Sequence, residues 1–341
     1  MLVNVVLLFG GIGEEYEISL RSAAAVLSSF PHTHTVFTVG IDRDGAWYLT
    51  EATPRMIAAD AWREGARPVL LSPTAHAMTV DGEQLPCDAV FPLLHGGLYE
   101  GGGAAAVCSA LGVPYVGCPP LAGAVAMDKV LSKRIAASLG IRVARWVTVA
   151  PCELADPALA DRLGDALGYP LFVKPTSGGS SVGACRVDSP DQLASALTAA
   201  LLFGDTVLCE EYVTGREVEF AILEDEGILR GHEVGEIDPG APFYDYDAKY
   251  RDRTSRIFIP ARVPSASRAA VREAGRTLFR ALGCRGLARI DFFVTDDGGV
   301  VFNEINTMPG FTDISMYPML LSRLGLTLGG VVDILLKNAK K

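Results

Sequence analysis

The sequence has no CxxC pair, no Walker A motif (GxxxxGK[ST]), no internal repeat and no low-complexity tail. Its seven cysteines are an odd number spread along 341 residues, so they do not form the paired framework of a small disulfide-rich protein. We therefore predict reduced, structural thiols in a cytosolic protein. The missing Walker A motif excludes a P-loop nucleotide site.

The chain also lacks a basic excess: 30 Lys and Arg stand against 40 Asp and Glu, which gives a formal net charge of −10. This charge argues against general binding to nucleic acid or to anionic membranes. Any anionic ligand must therefore be held by a local basic site inside an acidic protein.

Long uninterrupted apolar segments are absent as well. Residues 101–127 carry no charge, but the glycines and prolines within 112–120 divide them into pieces too short for a membrane helix. The N-terminal stretch MLVNVVLLFGG has no basic segment and runs into a glycine turn, so we expect a first strand and not a signal peptide. No membrane partner is predicted.

A large core can form, since 49% of the residues are hydrophobic and 21% are charged. At ~150 residues per domain, the length predicts two or three domains. The pattern changes near residues 121 and 213, which predicts three domains with the bounds 1–121, 122–213 and 214–341. The fold class is therefore expected to be α/β.

In the first segment, short β-rich runs at 3–9, 35–41 and 88–94 alternate with helical patterns. This alternation is typical of a doubly wound parallel sheet, in which ligands collect at the carboxyl ends of strands. The loops 10–17 and 95–100 lie at such ends. The last segment instead predicts long antiparallel strands and a hairpin, 286–295 with 299–306.

The loop KPTSGGSSVG follows an apolar strand and begins with Lys174. Glycines let backbone amides crowd around phosphate oxygens, and a lysine at the strand end adds a positive charge for them. Taken alone, the loop fits a surface hairpin with a solvated lysine equally well.

The hairpin ARIDFFVTDDGGVVFNEINTMPG carries polar side chains that can share one face. Three of them bear oxygen: Asp291, Glu304 and Asn306. Such hard ligands suit a partly hydrated Mg²⁺ that bridges phosphates. Arg289 shares this face and would balance developing negative charge. An exposed polar face is the alternative, and the apolar residues on the opposite face, such as Phe292, argue against it.

A third motif, EEYV, ends a strand, and Glu217 follows four residues after Val213. Free backbone groups at a strand end, followed by a carboxylate, can bind an adenine edge and ribose hydroxyls. A plain domain linker explains this motif as well.

Together the ordered motifs GG…EYEISL, LLHG…YEG, MDK, VKPTSGGSSVG, FYDYDAKY, GLARIDFF and FNEINTMPGFT resemble the D-alanine–D-alanine ligase family of ATP-grasp enzymes. That family includes the D-Ala–D-Ser and D-Ala–D-Lac ligases of vancomycin resistance. The resemblance spans residues 9–318. It implies an ATP-grasp fold, in which an N-terminal domain with a doubly wound parallel sheet precedes two α+β domains that clamp ATP.

The resemblance also implies site residues. Those for the nucleotide are Lys129 and Lys174 at the phosphates, Glu210, Glu211 and Val213 at the adenine, and Glu217 at the ribose. Those for two Mg²⁺ (or Mn²⁺) ions are Asp291, Glu304 and Asn306. For the first amino acid, the resemblance implies Glu17 at the ammonium, oriented by Ser180 and Tyr250, with His95 nearby. For the reacting atoms, it implies Arg289 and Gly310 at the oxyanion and Lys249 on a mobile loop 238–254. For the second amino acid, it implies Ser315 and Met316.

The implied reaction uses ATP to convert one D-alanine to an acyl phosphate, which the amine of a second D-alanine then attacks. Its product would serve peptidoglycan synthesis in a bacterial cytoplasm, and the enzyme would be a homodimer. Met316 stands where resistance-type relatives often have Arg, which favours D-alanine at the second site. A D-Ala–D-Ser ligase stays open, because EYEISLRSAAAVL and ARIDFFVT look close to that branch.

One stretch departs from the family pattern: Gly101, Gly103 and Ala105 stand where Asp, Thr and Gln are usual. We expect this to remove a helix N-cap and to loosen the floor of the first-substrate site. Three other hypotheses are a different ATP-grasp ligase, a non-catalytic nucleotide-binding protein, and a dinucleotide oxidoreductase. The last is disfavoured because GGIG at residues 10–13 is not GxGxxG.

Overall fold

The computed structural model describes residues 3–238 and 255–339. The strands of this part of the chain form three sheets. The first has the order β6-β5-β4-β3-β2-β1-β7. Its strands are β1 (Val3–Gly10), β2 (His34–Ile41), β3 (Trp47–Thr50), β4 (Arg67–Ser72), β5 (Ala77–Val80), β6 (Glu83–Gln84) and β7 (Ala89–Pro92).

Only the centre of this first sheet is parallel. Strand β1 pairs in parallel with β2 and with β7, as predicted, and its residues from Val5 onward are buried. The strands from β2 to β6 are antiparallel, which the sequence analysis missed. Tight turns reverse the chain between β2 and β3, between β4 and β5, and between β5 and β6. At one of them, the Asp42 carboxylate accepts hydrogen bonds from the backbone of Asp44 and Ala46.

The helices that accompany this sheet include α1 (Tyr16–Ser28), α2 (Pro54–Ala58) and α3 (Ala104–Ala110). Helix α1 begins just after the carboxyl end of β1. The hydroxyl of Ser19 accepts a hydrogen bond from the backbone of Gly10 at 2.7 Å, which ties the helix to that strand end. The start of α1 is therefore placed where the parallel strands end.

The second sheet has four antiparallel strands in the order β10-β9-β11-β8. They are β8 (Trp146–Val149), β9 (Leu171–Pro175), β10 (Cys185–Val187) and β11 (Val207–Glu211). Two helices, α6 (Leu159–Leu167) and α7 (Pro190–Ala200), bury leucines such as Leu163 and Leu197 in a core shared with β9 and β11. The apolar strand expected before Lys174 is β9, and the strand expected to end at EEYV is β11.

The third sheet has the order β15-β14-β12-β16-β17, with β13 also on β12. Its strands are β12 (Arg216–Asp225), β13 (Ile228–Arg230), β14 (Val234–Asp238), β15 (Arg256–Phe258), β16 (Leu287–Val294) and β17 (Val300–Asn306). The antiparallel strands and the hairpin β16–β17 are confirmed. Helices α4 (Pro120–Met127), α5 (Lys129–Ser138) and α8 (Ser265–Ala281) contribute to the core of this sheet.

The first and third sheets share a core. Helices α9 (Met316–Ser322) and α10 (Leu328–Lys337) add side chains to a cluster that also holds residues of β1, α1 and β12. Phe311 meets Phe91 edge to face at 5.9 Å between ring centroids, and Tyr317 at 5.6 Å. Each sheet lies within one of the three expected segments, and the bounds at 121 and 213 stay predictions.

The structure shows the state of the cysteines and the character of the helices in the described part of the chain. The described part of the chain contains all seven cysteines, and each is a free thiol. Within residues 3–238 and 255–339, none of the helices has both the length and the apolar composition that crossing a membrane requires.

The unusual stretch after residue 100 forms a π-helical turn, Tyr99–Gly103, that leads directly into α3. No described side chain caps this helix, as expected from the missing Asp. Gly102 has φ +101°, and a Cβ there would lie 2.4 Å from the carbonyl oxygen of Pro120, at the start of α4. Glycine at this position therefore lets α4 pack closely on the turn.

Gly102→Ala is expected to lower the free energy of unfolding by about 2–4 kcal/mol, because it combines a disfavoured φ with a backbone clash. Gly101→Ala is the matched control: its φ is −66°, and the nearest atom to its Cβ belongs to Met127 at 3.5 Å. Urea titration of both variants measures the difference. Equal stability of the two would contradict the packing described for Gly102.

Candidate active site

A cavity of about 330 Å³ lies between the second and third sheets. All six residues predicted to bind the nucleotide line it: Lys129, Lys174, Glu210, Glu211, Val213 and Glu217. Five of them come from α5, β9, β11 and β12, and Val213 lies between β11 and β12. Phe293 and Phe302 contribute an apolar wall. The cavity thus combines basic groups at one end with an apolar lining, as a nucleotide requires.

A smaller cavity of about 90 Å³ meets the first one at Glu304, which lines both. It holds most of the residues predicted for the amino acids and the reacting atoms: His95, Ser180, Arg289, Gly310, Ser315 and Met316. The predicted metal ligands Glu304 and Asn306 line it as well. The loop KPTSGGSSVG crosses both cavities, with Gly178 at the larger and Ser180 at the smaller. The surface-hairpin interpretation of this loop is therefore wrong.

The hairpin β16–β17 places its polar side chains on one face, as predicted. Asp291 pairs with Glu304 across the strands, and Arg289 pairs with Asn306. The Arg289 guanidinium donates to both carboxylate oxygens of Asp291, at 2.8 and 2.7 Å, and lies 3.0 Å from Glu219. Burial opposes its charge, but Asp291 and Glu219 outweigh burial and hold the pKa of Arg289 well above its usual value. Arg289 is thus a fixed cation beside the smaller cavity.

The donor chemistry on this face fits Mg²⁺. Asn306 donates through its Nδ2 to Asp291 at 3.1 Å, which leaves its amide oxygen for another partner. Glu304 lies 3.5 Å from the Lys129 ammonium. Among the described residues no three His, Cys, Asp or Glu side chains form a metal cluster, so the candidate set is two carboxylates and one amide.

Glu15, and not Glu17, is the carboxylate that Ser180 contacts beside the smaller cavity. Ser180 donates a hydrogen bond to Glu15, and a Cβ at Gly96 or at Gly179 would collide with its Oε2, at 2.0 or 2.6 Å. Glu17 lies inside α1, is 55% exposed, and faces Arg43 at 3.9 Å. The prediction of Glu17 as the group oriented by Ser180 is therefore wrong.

Helical periodicity contains the signal that would have found Glu15. Tyr16, Ser19 and Leu20 are buried, whereas Glu17 and Arg21 lie one turn apart on the exposed face of α1. Glu15 precedes the helix and is free of that periodicity, so it turns toward the loop after β7.

His95 connects the smaller cavity to the segment after β17. One ring nitrogen lies 2.7 Å from the carbonyl oxygen of Met308, and the other 3.0 Å from the Ser22 hydroxyl. Burial lowers the pKa of His95, although Glu15 opposes this effect. A neutral His95 therefore bridges α1 and the chain that leads to Gly310.

Glu100 is a functional residue for which the sequence analysis assigned no role. One of its carboxylate oxygens accepts from the amides of Thr307 and Met308, at 2.9 and 3.1 Å. The other accepts from the amide of Gly96 at 2.7 Å. Burial, and then the charge of Glu15, raise the pKa of Glu100 to about 7. Glu100 thus fastens the loop after β7 to the segment that contains Gly310.

The side chains of Glu210 and Glu211 are both held in ion pairs with basic groups. Glu210 is buried between two ammonium groups, Lys133 at 2.5 Å and Lys174 at 2.7 Å. Burial disfavours its charge, but Lys133 and Lys174 outweigh burial and lower its pKa. Glu211 pairs with Arg145 at 2.6 Å. These ion pairs hold both side chains at the larger cavity, and the adenine assignment of Glu210 and Glu211 stays a prediction.

Two family models match most of the chain. One is described as D-ala D-ala ligase N-terminus and covers residues 4–118, and the other as D-ala D-ala ligase C-terminus and covers residues 135–337. The chain belongs to the D-alanine–D-alanine ligase family. The resemblance seen in the sequence motifs is thereby confirmed.

Known proteins of this ligase family match the chain over nearly its whole length. The D-alanine–D-alanine ligase of Chlorobium luteolum is 42% identical over an alignment of 350 positions, which covers 98% of this chain and 96% of that protein. The solved structure of the VanG D-Ala:D-Ser ligase from Enterococcus faecalis matches with a TM-score of 0.88, 33% identity and 99% of each chain. The D-alanine–D-alanine ligase from Coxiella burnetii matches with a TM-score of 0.85, 31% identity, 99% of this chain and 95% of its own. The expected ATP-grasp architecture is confirmed.

Two residues predicted for this ligase-family site, Lys249 and Tyr250, lie outside the described residues, as does most of the loop 238–254. Asp238 ends β14 beside the larger cavity, and Arg256 on β15 pairs with it at 3.0 Å.

Proposed function

We propose that this protein joins two D-alanine molecules into D-alanyl-D-alanine and converts ATP to ADP and phosphate, for peptidoglycan precursor synthesis. The observation that carries the proposal is the meeting of the two cavities at Glu304. A basic pocket for a nucleotide opens there onto a small pocket with Glu15 for an ammonium group and Arg289 for a developing oxyanion.

ATP enters the larger cavity with its phosphates toward Lys129 and Lys174, both of which are buried. The Lys129 ammonium donates to the Gly178 carbonyl at 2.5 Å, so it sits directly below the Gly/Ser-rich loop. The backbone around Val213 meets the adenine, and Glu217 meets the ribose. Asp291, Glu304 and Asn306 would hold Mg²⁺ as two ions, which would neutralise charge on the phosphates.

The first D-alanine binds with its ammonium on Glu15, in the place predicted for Glu17. Its carboxylate oxygen attacks the γ-phosphorus, ADP departs, and D-alanyl phosphate forms. The amine of the second D-alanine then attacks the carbonyl carbon, the C–O bond to phosphate breaks, and one proton is lost. Arg289 and the amide of Gly310 stabilise the oxyanion of this addition. Closure of the loop with Lys249 and Tyr250 would keep water from the acyl phosphate.

Met316 supports D-alanine as the second substrate. Its side chain is buried, lines the smaller cavity and contacts Gly235, so it presents an apolar surface to the incoming side chain. Ser315, whose hydroxyl lies 2.8 Å from that of Thr312, would receive the carboxylate. An apolar pocket rejects an added hydroxyl only weakly, by roughly 10²-fold. D-serine is the second candidate, as the likeness to a D-Ala:D-Ser ligase also suggests.

The remaining parts of the proposal rest on family membership. They are a homodimer, a cytoplasmic location, small-molecule substrates as the partners, and no binding to nucleic acid or membrane. The acidic net charge of −10 is consistent with the last of these.

The proposal is tested by phosphate release with ATP and Mg²⁺ in four mixtures: D-Ala, D-Ala with D-Ser, D-Ala with D-lactate, and L-Ala. Mass spectrometry identifies the products. We expect D-Ala alone to give one dipeptide per ADP, and L-Ala to give none. A dominant D-Ala–D-Ser product would overturn the second-site assignment, and nucleotide binding without turnover would indicate a non-catalytic protein.

Replacing each of the two candidate carboxylates in turn with an amide separates their roles. Glu15→Gln removes a charge-assisted hydrogen bond to the ammonium and is expected to lower kcat/KM for D-alanine by about 10- to 100-fold. Glu17→Gln, on the exposed face of α1, is the control and is expected to stay within about twofold of the wild type. Steady-state kinetics on both variants measure this. A larger loss of kcat/KM in Glu17→Gln than in Glu15→Gln would instead assign the ammonium to Glu17.

A further inference from the structure

Lys133 is a buried cation under the nucleotide cavity that the mechanism above does not use. It lies on α5 one turn after Lys129, on the same face of the helix, and only 1% of its surface is exposed. Asp128 caps the helix by accepting from the amides of Val130 and Leu131, both at 2.9 Å. The position of Lys133 is therefore fixed by a helix whose N-terminus is capped, and its side chain is shielded from solvent.

The contacts of Lys133 lead to Lys174 through one carboxylate. Glu210 gives one oxygen to each lysine: Oε1 lies 2.5 Å from Lys133 and Oε2 lies 2.7 Å from Lys174. Lys174 also donates to the side-chain oxygen of Asn303 at 3.2 Å. Burial lowers the pKa of Lys133, and the charge of Glu210 opposes that effect.

The charges of this group determine what Lys174 can offer to a phosphate. With Lys133 present, one carboxylate is shared by two ammonium groups, and the three residues carry a net charge of +1. Without Lys133, Glu210 would face Lys174 alone, and the pair would be neutral. Both carboxylate oxygens would then be free to hold the Lys174 ammonium away from the phosphates.

We propose that Lys133 is a positioning residue for ATP: it occupies half of the Glu210 carboxylate and thereby keeps the positive charge of Lys174 available to the phosphates. This inference rests on the proposed function, since it assumes ATP in the larger cavity. It assigns Lys133 no contact with the substrate.

The test is calorimetric titration with Mg²⁺ and 5′-adenylyl imidodiphosphate, a non-hydrolysable ATP analogue, without any amino acid. Lys133→Met is expected to raise the dissociation constant about tenfold or more, since a buried charge pair is broken. Lys133→Arg keeps the charge and should recover part of the affinity. Lys337→Met is the matched control, because Lys337 is 68% exposed and pairs with Asp333 on α10. It should bind as the wild type does.

The double variant Lys133→Met with Glu210→Gln distinguishes positioning from a merely structural role. It removes both the lysine and the carboxylate that would otherwise hold Lys174, so Lys174 should regain its availability and the double variant should bind the analogue more tightly than Lys133→Met does. It also removes the buried charge of Glu210, which in the single variant has lost one of its two cations, so it should fold even if the single variant does not. A double variant that folds and binds no better than Lys133→Met would overturn the proposal, as would wild-type affinity in Lys133→Met.

Steady-state kinetics add a second readout. KM for ATP should rise in Lys133→Met while KM for D-alanine stays near the wild-type value, because Lys133 does not line the smaller cavity. A parallel rise in both would contradict positioning at the phosphates. A wild-type protein that binds the analogue but makes no dipeptide would defeat the proposed function alone and leave the binding test of Lys133 valid.

Discussion

The buried carboxylates of Glu210 and Asp291, near the meeting of the second and third sheets, each face a lysine or an arginine, and this matching of charges constrains the site. Glu210 lies between Lys133 and Lys174, and Arg289 holds Asp291 with a bidentate contact. A carboxylate buried without a partner costs several kcal/mol, so strands from two sheets and one helix must meet in an arrangement that pairs all of them. The nucleotide therefore encounters charges that are already in place, and little reorganisation is needed.

A second constraint joins the first sheet to this charged region. The shared core around Phe311 fixes α1 relative to β12, and Glu100 connects the loop after β7 with Thr307 and Met308. These contacts bring Glu15, which precedes α1, to the cavity that also contains Arg289. The small pocket is thus built from distant parts of the chain, and its geometry depends on the packing of the first sheet on the third.

Local pattern was enough to predict the hairpin β16–β17 and the shared face of Asp291, Glu304 and Asn306, because side-chain alternation along strands is regular. The family resemblance, which supplied Glu17, failed at that residue, since two carboxylates lie close in sequence and only the start of α1 separates their directions. Local pattern missed Lys133, whose partner Glu210 is far along the chain. Contacts between separate sheets are set by packing and leave no periodic signal in the sequence. Most of the predicted residues that line the two cavities were found through the family motifs instead.

The central claim is that the carboxylate of one D-alanine becomes an acyl phosphate inside the paired cavities. D-alanine labelled with ¹⁸O in its carboxylate, incubated with ATP and Mg²⁺, tests it through the mass of the released phosphate. The account predicts one ¹⁸O atom in each phosphate, because the attacking carboxylate oxygen leaves with phosphorus when the peptide bond forms. Unlabelled phosphate would contradict it, since the γ-phosphoryl group would then have passed to water directly.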